Sequence, residues 1–482
     1  MIADLKPYRE YSESGSPWLG KFPAHWQLHR LGSVLRERGE SNEARQIDQV
    51  LSVMKDIGVI RYEDKGRVGN KKSEDTARYK VVRPDDIVVN CMNVIIGSVG
   101  LSCYTGCLSP VYYVLTRRIE TDNPRYLNAV FQTKPFQLSL VRIGNGILSH
   151  RMRIPMDLLK CEPFPVPPPD EQAAIVRFID YATRRIDRTI RAKRKVIALL
   201  NEQKQSIIHR AVTRGLDPNV PLKSSGIPWL GDIPEHWETP LLGRCITRIE
   251  QGWSPVAAEG EFEEDQWAVL TLSSVKRGVF NPTAIKPVSK TANIPRSIEV
   301  VNGDVLLTRS NTRDRVGDVC IVEGIRPRTI LCDLIYRLSI QEKLLESRFL
   351  VYQLLSPLGR GQIERDARGS SGTMPKIAQG HIKSWRVLLP PVEEQRKITS
   401  NINTETAQFN EVIHRTEREI DLFREYRTRL IADVVTGKLD VREVAKKLPD
   451  ESAESGIIDD DEILVGDEEM EESLNATGGG DE

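Results

Sequence analysis

This chain carries much of its own sequence a second time. Residues 17–26 read PWLGKFPAHW and residues 228–237 read PWLGDIPEHW. Trp18, His25 and Trp26 thus return as Trp229, His236 and Trp237 at an offset of 211, and four of the seven tryptophans lie in the two copies. A second pair follows. PPPDEQAAI at 167–175 answers LPPVEEQRKI at 389–398, and AVTRGL at 211–216 answers VVTGKL at 434–439, both at an offset of 223. Repetition of this kind means that one structural unit is used twice. The unit is a Trp-rich opening, a variable stretch of roughly 130–150 residues, a Pro-rich stop and a long helix.

The helices follow from periodicity. From Glu171 to Val212 and from Glu394 to Val435, apolar residues recur every three or four positions with charged residues between them. Pro169 and Pro391 precede acidic first turns (Asp170 and Glu171, Glu393 and Glu394), which suit the positive end of a helix dipole. Gly215 and Gly437 are stop signals. Each run of about 42 residues makes a helix ~63 Å long at ~1.5 Å per residue. A helix that long needs a partner along its apolar face, and the partner of matching length is the other copy. The expected seam is Ile175, Ile179, Ile186, Leu200 and Ile207 against Ile398, Ile402, Phe409, Phe423 and Leu430. Thr189, Lys193 and Gln203 also fall at inward positions, which predicts a spacer-like pair and not a uniform zipper. The competing reading is two unrelated helices docked on separate domains.

The variable stretches have a different texture. VVRPDDIVVN (81–90) and VVNGDVLLTR (300–309) each read as strand, tight turn with Asp, and strand. IGSVGLSCY (96–104), VGDVCIVEG (316–324), VYYVLTRR (111–118) and LIYRLSI (334–340) read as further short strands, and NPRYLNAVFQT and SRFLVYQLLS as helices. Each stretch is expected to be a compact mixed α/β domain with largely antiparallel strands. Each ends in a basic, glycine-bearing segment read as a flexible loop: RIGNGILSHRMR (142–153) and RDARGSSGTMPK (365–376). The element order matches while identity between the stretches is poor, as in two recognition modules for different targets.

No catalytic kit is visible. Phosphate loops, dinucleotide-binding glycines, amino-methyltransferase tetrapeptides, nucleophile elbows and zinc-protease motifs are all missing, and the seven histidines do not cluster. His25 and His236 are read as structural, because no orienting carboxylate or nucleophile is evident at a repeated position. Asp86 and Asp304 are read as turn-formers between strands. The seven cysteines, at irregular spacing, are read as free and mostly buried, with Cys103 and Cys107 the only close pair, and no metal site is expected. No apolar run spans a bilayer and residues 1–10 lack the apolar core of a secretory signal, so a cytoplasmic location is expected.

The net charge of zero hides an asymmetry. Residues 450–482 hold 14 acids and no Lys or Arg. Of the chain's 68 acids, 54 remain in the body against 68 Lys and Arg, a balance of +14. A basic body with an acidic, disordered tail suits a polyanion partner. In the first variable stretch, Lys65, Arg67, Lys71, Lys72, Arg78, Lys80 and Arg83 concentrate, followed by Asn90 and Asn93. Its closing segment adds Arg142, Asn145, Arg151 and Arg153. In the second, Arg309, Asn311, Arg313 and Arg315 follow a strand, and Arg365, Arg368 and Lys376 lie in the closing segment. Arg and Asn read guanine and adenine edges, and Lys and Arg neutralise phosphate, so these are the candidate DNA contacts. The bland alternative is a solvated basic face.

With these residues in hand, the chain resembles the specificity subunits of type I restriction–modification systems. The resemblance rests on the two Trp-Leu-Gly…Pro-x-His-Trp openings, the two proline-led Glu-Gln helix starts (Pro168 to Gln172, Pro391 to Gln395) and VLLTRSNTRDRVGD at 305–318. It covers the chain to about residue 447 and leaves the acidic tail outside. It implies an α+β protein in which two target-recognition domains (1–168 and 216–391) alternate with two long antiparallel coiled-coil helices (169–215 and 392–447), with an internal pseudo-twofold repeat and a tail at 448–482. It implies that the domains read the halves of a split DNA target and the helices set their spacing. It also implies two methyltransferase subunits using S-adenosylmethionine and two motor–nuclease subunits using ATP and Mg2+ as partners, with no active site or cofactor in this chain. The rival readings are a protein-only coiled-coil scaffold and a stand-alone methyltransferase or nuclease with an unrecognised motif.

Overall fold

The structure is a computed structural model that describes residues 5–55, 57–65, 72–73, 75–148, 151–255, 266–289, 294–367 and 374–449. The acidic segment 450–482, Arg67, Lys71 and Arg368 lie outside them, as does the side chain of Arg151. The chain divides into two units, Met1–Arg194 with Glu417–Glu482, and Lys195–Thr416.

In the first unit, Tyr11–Glu13 pairs with Lys21–Pro23, and Gln27–Arg30 pairs antiparallel with Pro163–Val166. The central sheet is antiparallel, in the order Leu35–Glu37, Tyr112–Arg117, Ile87–Asn90, Val99–Leu101. The helix Pro124–Gln132 has proline in its first turn and Asn123 as its cap, whose side chain accepts from the Arg125 and Tyr126 amides. Trp26, Tyr126, Phe131, Phe136 and Phe164 fill the core. Phe131 and Phe136 meet edge to face at 5.2 Å, and Trp18 does the same on Phe136 at 5.1 Å. Leu430, Val434 and Val435, from the end of the second long helix, belong to this same core.

The second unit repeats the plan. Leu222–Ser224 pairs with Asp232–Pro234, and the four-stranded sheet runs Ile246–Gln251, Ile335–Ile340, Val305–Thr308, Val319–Ile321, the same order as before. Its core holds Trp237, Phe349 and Trp385 with Ile398 and Ile402, and takes Ile208, Ala211 and Val212 from the end of the first long helix. Each core is thus closed by the helix end of the other sequence copy. The additions differ. The first unit carries the hairpin Leu51–Met54 with Gly58–Arg61, the second a three-stranded sheet in which Ala268–Leu270 pairs in parallel with Thr329–Ile330. Trp18 and Trp229 also diverge: Trp18 is packed, whereas Trp229 is 48% exposed. The repeated opening therefore serves as a shared packing device at its second tryptophan only.

The long helices are Pro169–Arg214 and Val392–Val435, 46 and 44 residues, or ~69 and ~66 Å at ~1.5 Å per residue. Each stops at a glycine in the left-handed region, Gly215 (φ +74°) and Gly437 (φ +75°). In the first unit the facing segments run antiparallel: Arg427 bonds Asp187 at 2.6 Å and Lys193 bonds Glu419 at 2.5 Å. In the second unit Lys204 donates to Asn410 at 2.7 Å. Ile175, Ile186, Ile398, Ile402 and Leu430 are buried, while Ile179, Leu200, Ile207, Phe409 and Phe423 are half-buried. The stretch 193–207 is bridged by polar contacts and not by an apolar seam. Thr189 is half-buried and returns its hydroxyl to the Arg185 carbonyl. Gln203 is exposed, and its neighbour Lys204 takes the inward place.

The Asp turns fold as read, with an added role. Asp86 Oδ2 accepts the Arg83 amide at 2.8 Å, and its carboxylate takes a fork from Arg38, both bonds 2.8 Å. Asp304 accepts the Val301 amide at 3.0 Å and Arg337 at 3.1 Å. Before each stands a residue with positive φ: Gly303 (φ +94°) in one unit and Asp85 (φ +68°) in the other. Asp85→Gly removes a left-handed cost of ~1–2 kcal/mol against a glycine entropy cost of ~0.5–1 kcal/mol, so the first unit should gain about 0.5–1 kcal/mol in urea unfolding. A loss of stability would show that the Asp85 side chain holds the turn.

Candidate nucleic-acid interface

The repeated Glu-Gln pair is the clamp that positions each module. Glu171 is buried and accepts Tyr8 Oη at 2.5 Å and Trp26 Nε1 at 2.9 Å, and its second oxygen lies 2.8 Å from His25 Nε2. Burial and the Glu171 carboxylate push the Tyr8 phenol far above its ordinary pKa, so it remains a donor. Glu394 meets His236 Nε2 at 2.8 Å and Trp237 Nε1 at 3.1 Å. The histidines therefore do have a repeated carboxylate, contrary to the sequence expectation. The signal was in the duplicated Glu-Gln itself. With the indole sharing each carboxylate, the pair fixes the opening segment on the long helix.

Gln172 and Gln395 bind the next element. Gln172 donates to Asp122 Oδ1 (3.0 Å) and the Pro167 carbonyl (2.9 Å), and accepts the Asn123 amide (2.7 Å). Gln395 donates to the Leu344 and Pro390 carbonyls (2.8 Å each) and accepts the Glu346 amide (2.8 Å). Asn123 and Glu346 are the caps of the helices Pro124–Gln132 and Ser347–Leu355. One dipeptide in the first turn of each long helix thus grips both the Trp opening and the module's own helix.

Among the described residues no three His, Cys, Asp or Glu gather as metal ligands. All seven cysteines are free; burial pushes the Cys320 thiol up to about 12 and Cys332 to about 11, which leaves them unreactive near neutral pH.

The basic candidates separate into surface and interior. Lys65 is buried with its ammonium 4.2 Å from the Tyr62 ring centroid, and Lys72 is exposed near the same ring. Arg78 is exposed. Lys80 bonds Glu37 at 2.9 Å, and Arg83 bonds Glu40 at 2.8 Å. Asn90 is half-buried and accepts the Met92 amide, and Asn93 is half-buried beside it. The closing segment of the first module is not a loop but a hairpin, Asn145–Leu148 with Arg151–Arg153, because the Gly-flanked residues pair across it. Asn145 and Arg153 are exposed at its ends, and exposed Arg142 is held by Glu162 at 2.5 Å.

In the second module the segment after Val305–Thr308 is a built loop. Thr308 donates to the Arg315 carbonyl (2.9 Å), Arg360 to the Val316 carbonyl (2.9 Å), and the Ile377 amide to the Arg309 carbonyl (2.9 Å). Arg309 is half-buried near the Tyr336 ring, and Asn311 is buried, so neither stands out from the surface. Arg313, Arg315, Arg365 and Lys376 are exposed. Arg365 forks onto Asp366, whose carboxyl that fork and Trp385 help hold below the usual range despite partial burial. At the corresponding place in the first unit, after Ile87–Asn90, stands an apolar turn, Val94–Ile96, with Val94 and Ile95 buried. The same scaffold position is Arg-rich in one unit and sealed in the other.

No family model matches the chain. Over 210 residues it is 25% identical to the specificity subunit of the type I restriction enzyme EcoEI of Escherichia coli, an alignment covering 43% of this chain and 35% of that protein. Over 400 residues it is 23% identical to the specificity subunit of the type I restriction enzyme StySPI of Salmonella potsdam, covering 78% of this chain and 82% of that protein. A chain from a solved structure concerned with complex assembly and conformational transition of the type I R-M system matches in fold, with a TM-score of 0.56 and 16% identity over 86% of this chain and 98% of that chain.

Proposed function

Proceeding from a chain whose sequence relatives are specificity subunits of type I restriction enzymes, we propose that it is itself such a subunit, a non-catalytic DNA-reading component of a type I restriction–modification complex. The observation that carries this reading is one scaffold used twice with unlike loops: the same sheet order and the same Glu-Gln clamp, but Arg313 and Arg315 on a loop whose counterpart is apolar. Each unit would read one half of a split target. Arg313, Arg315, Arg365 and Lys376 on one, and Lys72, Arg78, Asn145 and Arg153 on the other, are the exposed side chains suited to phosphates and base edges. The long helices would act as an antiparallel coiled-coil spacer, so half-site separation would follow from helix length. Tethering two modest readers raises the effective concentration of the second once the first is bound. Two methyltransferase subunits using S-adenosylmethionine, and two motor–nuclease subunits using ATP and Mg2+, would dock on this chain, which would bind none of those cofactors.

Salt dependence tests DNA binding against a protein-only scaffold. With 6–10 phosphate contacts, affinity of the chain and its methyltransferase partner for duplex DNA should fall roughly 10³–10⁵-fold between about 50 and 200 mM salt. No measurable salt-dependent affinity would favour the scaffold. Arg313→Ala combined with Arg315→Ala should weaken binding by about 1–3 kcal/mol and relax selectivity in one half-site alone. Equal relaxation in both halves would contradict the division of labour.

A further inference from the structure

The first long helix carries a second, unassigned surface within the first unit. Arg177, Tyr181, Arg184, Arg188 and Arg191 are spaced by four, three, four and three residues, which sets them along one helix face. Ile175, Phe178, Ala182, Ile186 and Ile190 are buried on the opposite face. The row contains four arginines; Asp180 and Asp187 flank it on one side and bond Arg125 and Arg427. At ~1.5 Å per residue the row from Arg177 to Arg191 is ~21 Å long.

The chain itself arrives at the start of this row. Arg177 Nη2 donates to the Leu448 carbonyl at 2.8 Å and lies 3.4 Å from that of Pro449. The acidic segment begins at the next residue: Asp450, Glu451 and Glu454, then the run 459–462, within a stretch of 14 acids and no Lys or Arg. About seven residues of extended backbone at ~3.3 Å each would cover the row, and 33 are present.

We propose that the acidic segment 450–482 docks on the arginine row of the first long helix as an intramolecular polyanion, and that a DNA backbone must displace it to reach this face. Attachment beside Arg177 makes the encounter intramolecular, so it needs no intrinsic affinity beyond charge attraction. The pairing would be surface-exposed and therefore screened by salt. The docking does not rest on the chain being a specificity subunit.

The test uses the full chain with a fluorophore pair at Ala192→Cys and Ser473→Cys. Exposed Cys103 and Cys161 are replaced by Ser, the other five cysteines being buried. Energy transfer should be high at about 50 mM salt and fall at least twofold at about 500 mM, where the Debye length is only a few ångströms. The same fall should appear at low salt in the Arg184→Glu, Arg188→Glu, Arg191→Glu variant. It should also appear in a variant that leaves the helix untouched, Asp459→Asn, Asp460→Asn, Asp461→Asn, Glu462→Gln. Transfer unchanged by both sets of substitutions overturns the docking. Adding a duplex of arbitrary sequence to the parent should lower transfer as it binds; bound duplex with transfer intact overturns the displacement.

Discussion

Glu171→Ala destabilises the first unit by about 3–5 kcal/mol, because it orphans two buried donors at once. The Tyr8 hydroxyl and the Trp26 indole N–H both end on Glu171, whose side chain is 2% exposed. The equivalent substitution in the second unit, Glu394→Ala, should cost only about 1–2 kcal/mol. Glu394 is 30% exposed, holds the indole by a longer bond of 3.1 Å, and has no tyrosine on it. Hydrogen exchange of peptides from each unit across a urea series separates the two effects. Equal costs would mean that burial does not set the strength of the clamp.

Gly437→Ala should be nearly as damaging, and its counterpart mild. A methyl group on Gly437 would lie 2.3 Å from Pro23 Cδ and 3.1 Å from the Trp26 ring, at a φ of +75°. The ring of Pro23 cannot swing aside, so strain and overpacking together should cost about 3–4 kcal/mol. At Gly215 the same methyl would meet Glu394 Oε1 and Trp237 at 3.4 Å, ordinary contact distances. Only the left-handed backbone then counts, about 1–2 kcal/mol. The same exchange and urea measurements decide this pair. A Gly437→Ala chain no weaker than the Gly215→Ala chain would show that the helix end does not seat against Trp26.

Both predictions concern residues that duplication exposed. Trp26 and Glu171 stood out because each has a partner at a fixed offset, and Gly437 because it stops a long helix as Gly215 does; the structure brings the three to one place. What duplication could not reveal was the exchange: each Trp–Glu clamp sits with the glycine from the other copy's helix. The long helices were legible because a 3–4 spacing sustained over 40 residues has few other solutions. Their middle was misread by one position. Over such a length a 3.6-residue turn drifts against a heptad pattern, so Lys204 turns inward where Gln203 was expected. The hairpin at 145–153 was read as a loop because its glycines suggest freedom, whereas the pairing that orders it is made across the strands. Lys65 and Asn311 were legible as polar residues in basic runs but not as buried ones. Burial in these modules is decided by segments distant in sequence, and so is the choice of residues that face a ligand.

The most direct test of the central claim is to co-express the chain with the methyltransferase proposed as its partner and map adenine methylation across a genome at single-base resolution. The account predicts methylation confined to one split motif, two unlike half-sites separated by a fixed number of unspecified base pairs. Exchanging the second module, residues 216–391, for that of a relative should change one half-site and leave the other and the gap intact. A complex that methylates a continuous motif, or a stable complex that directs no methylation, would contradict it.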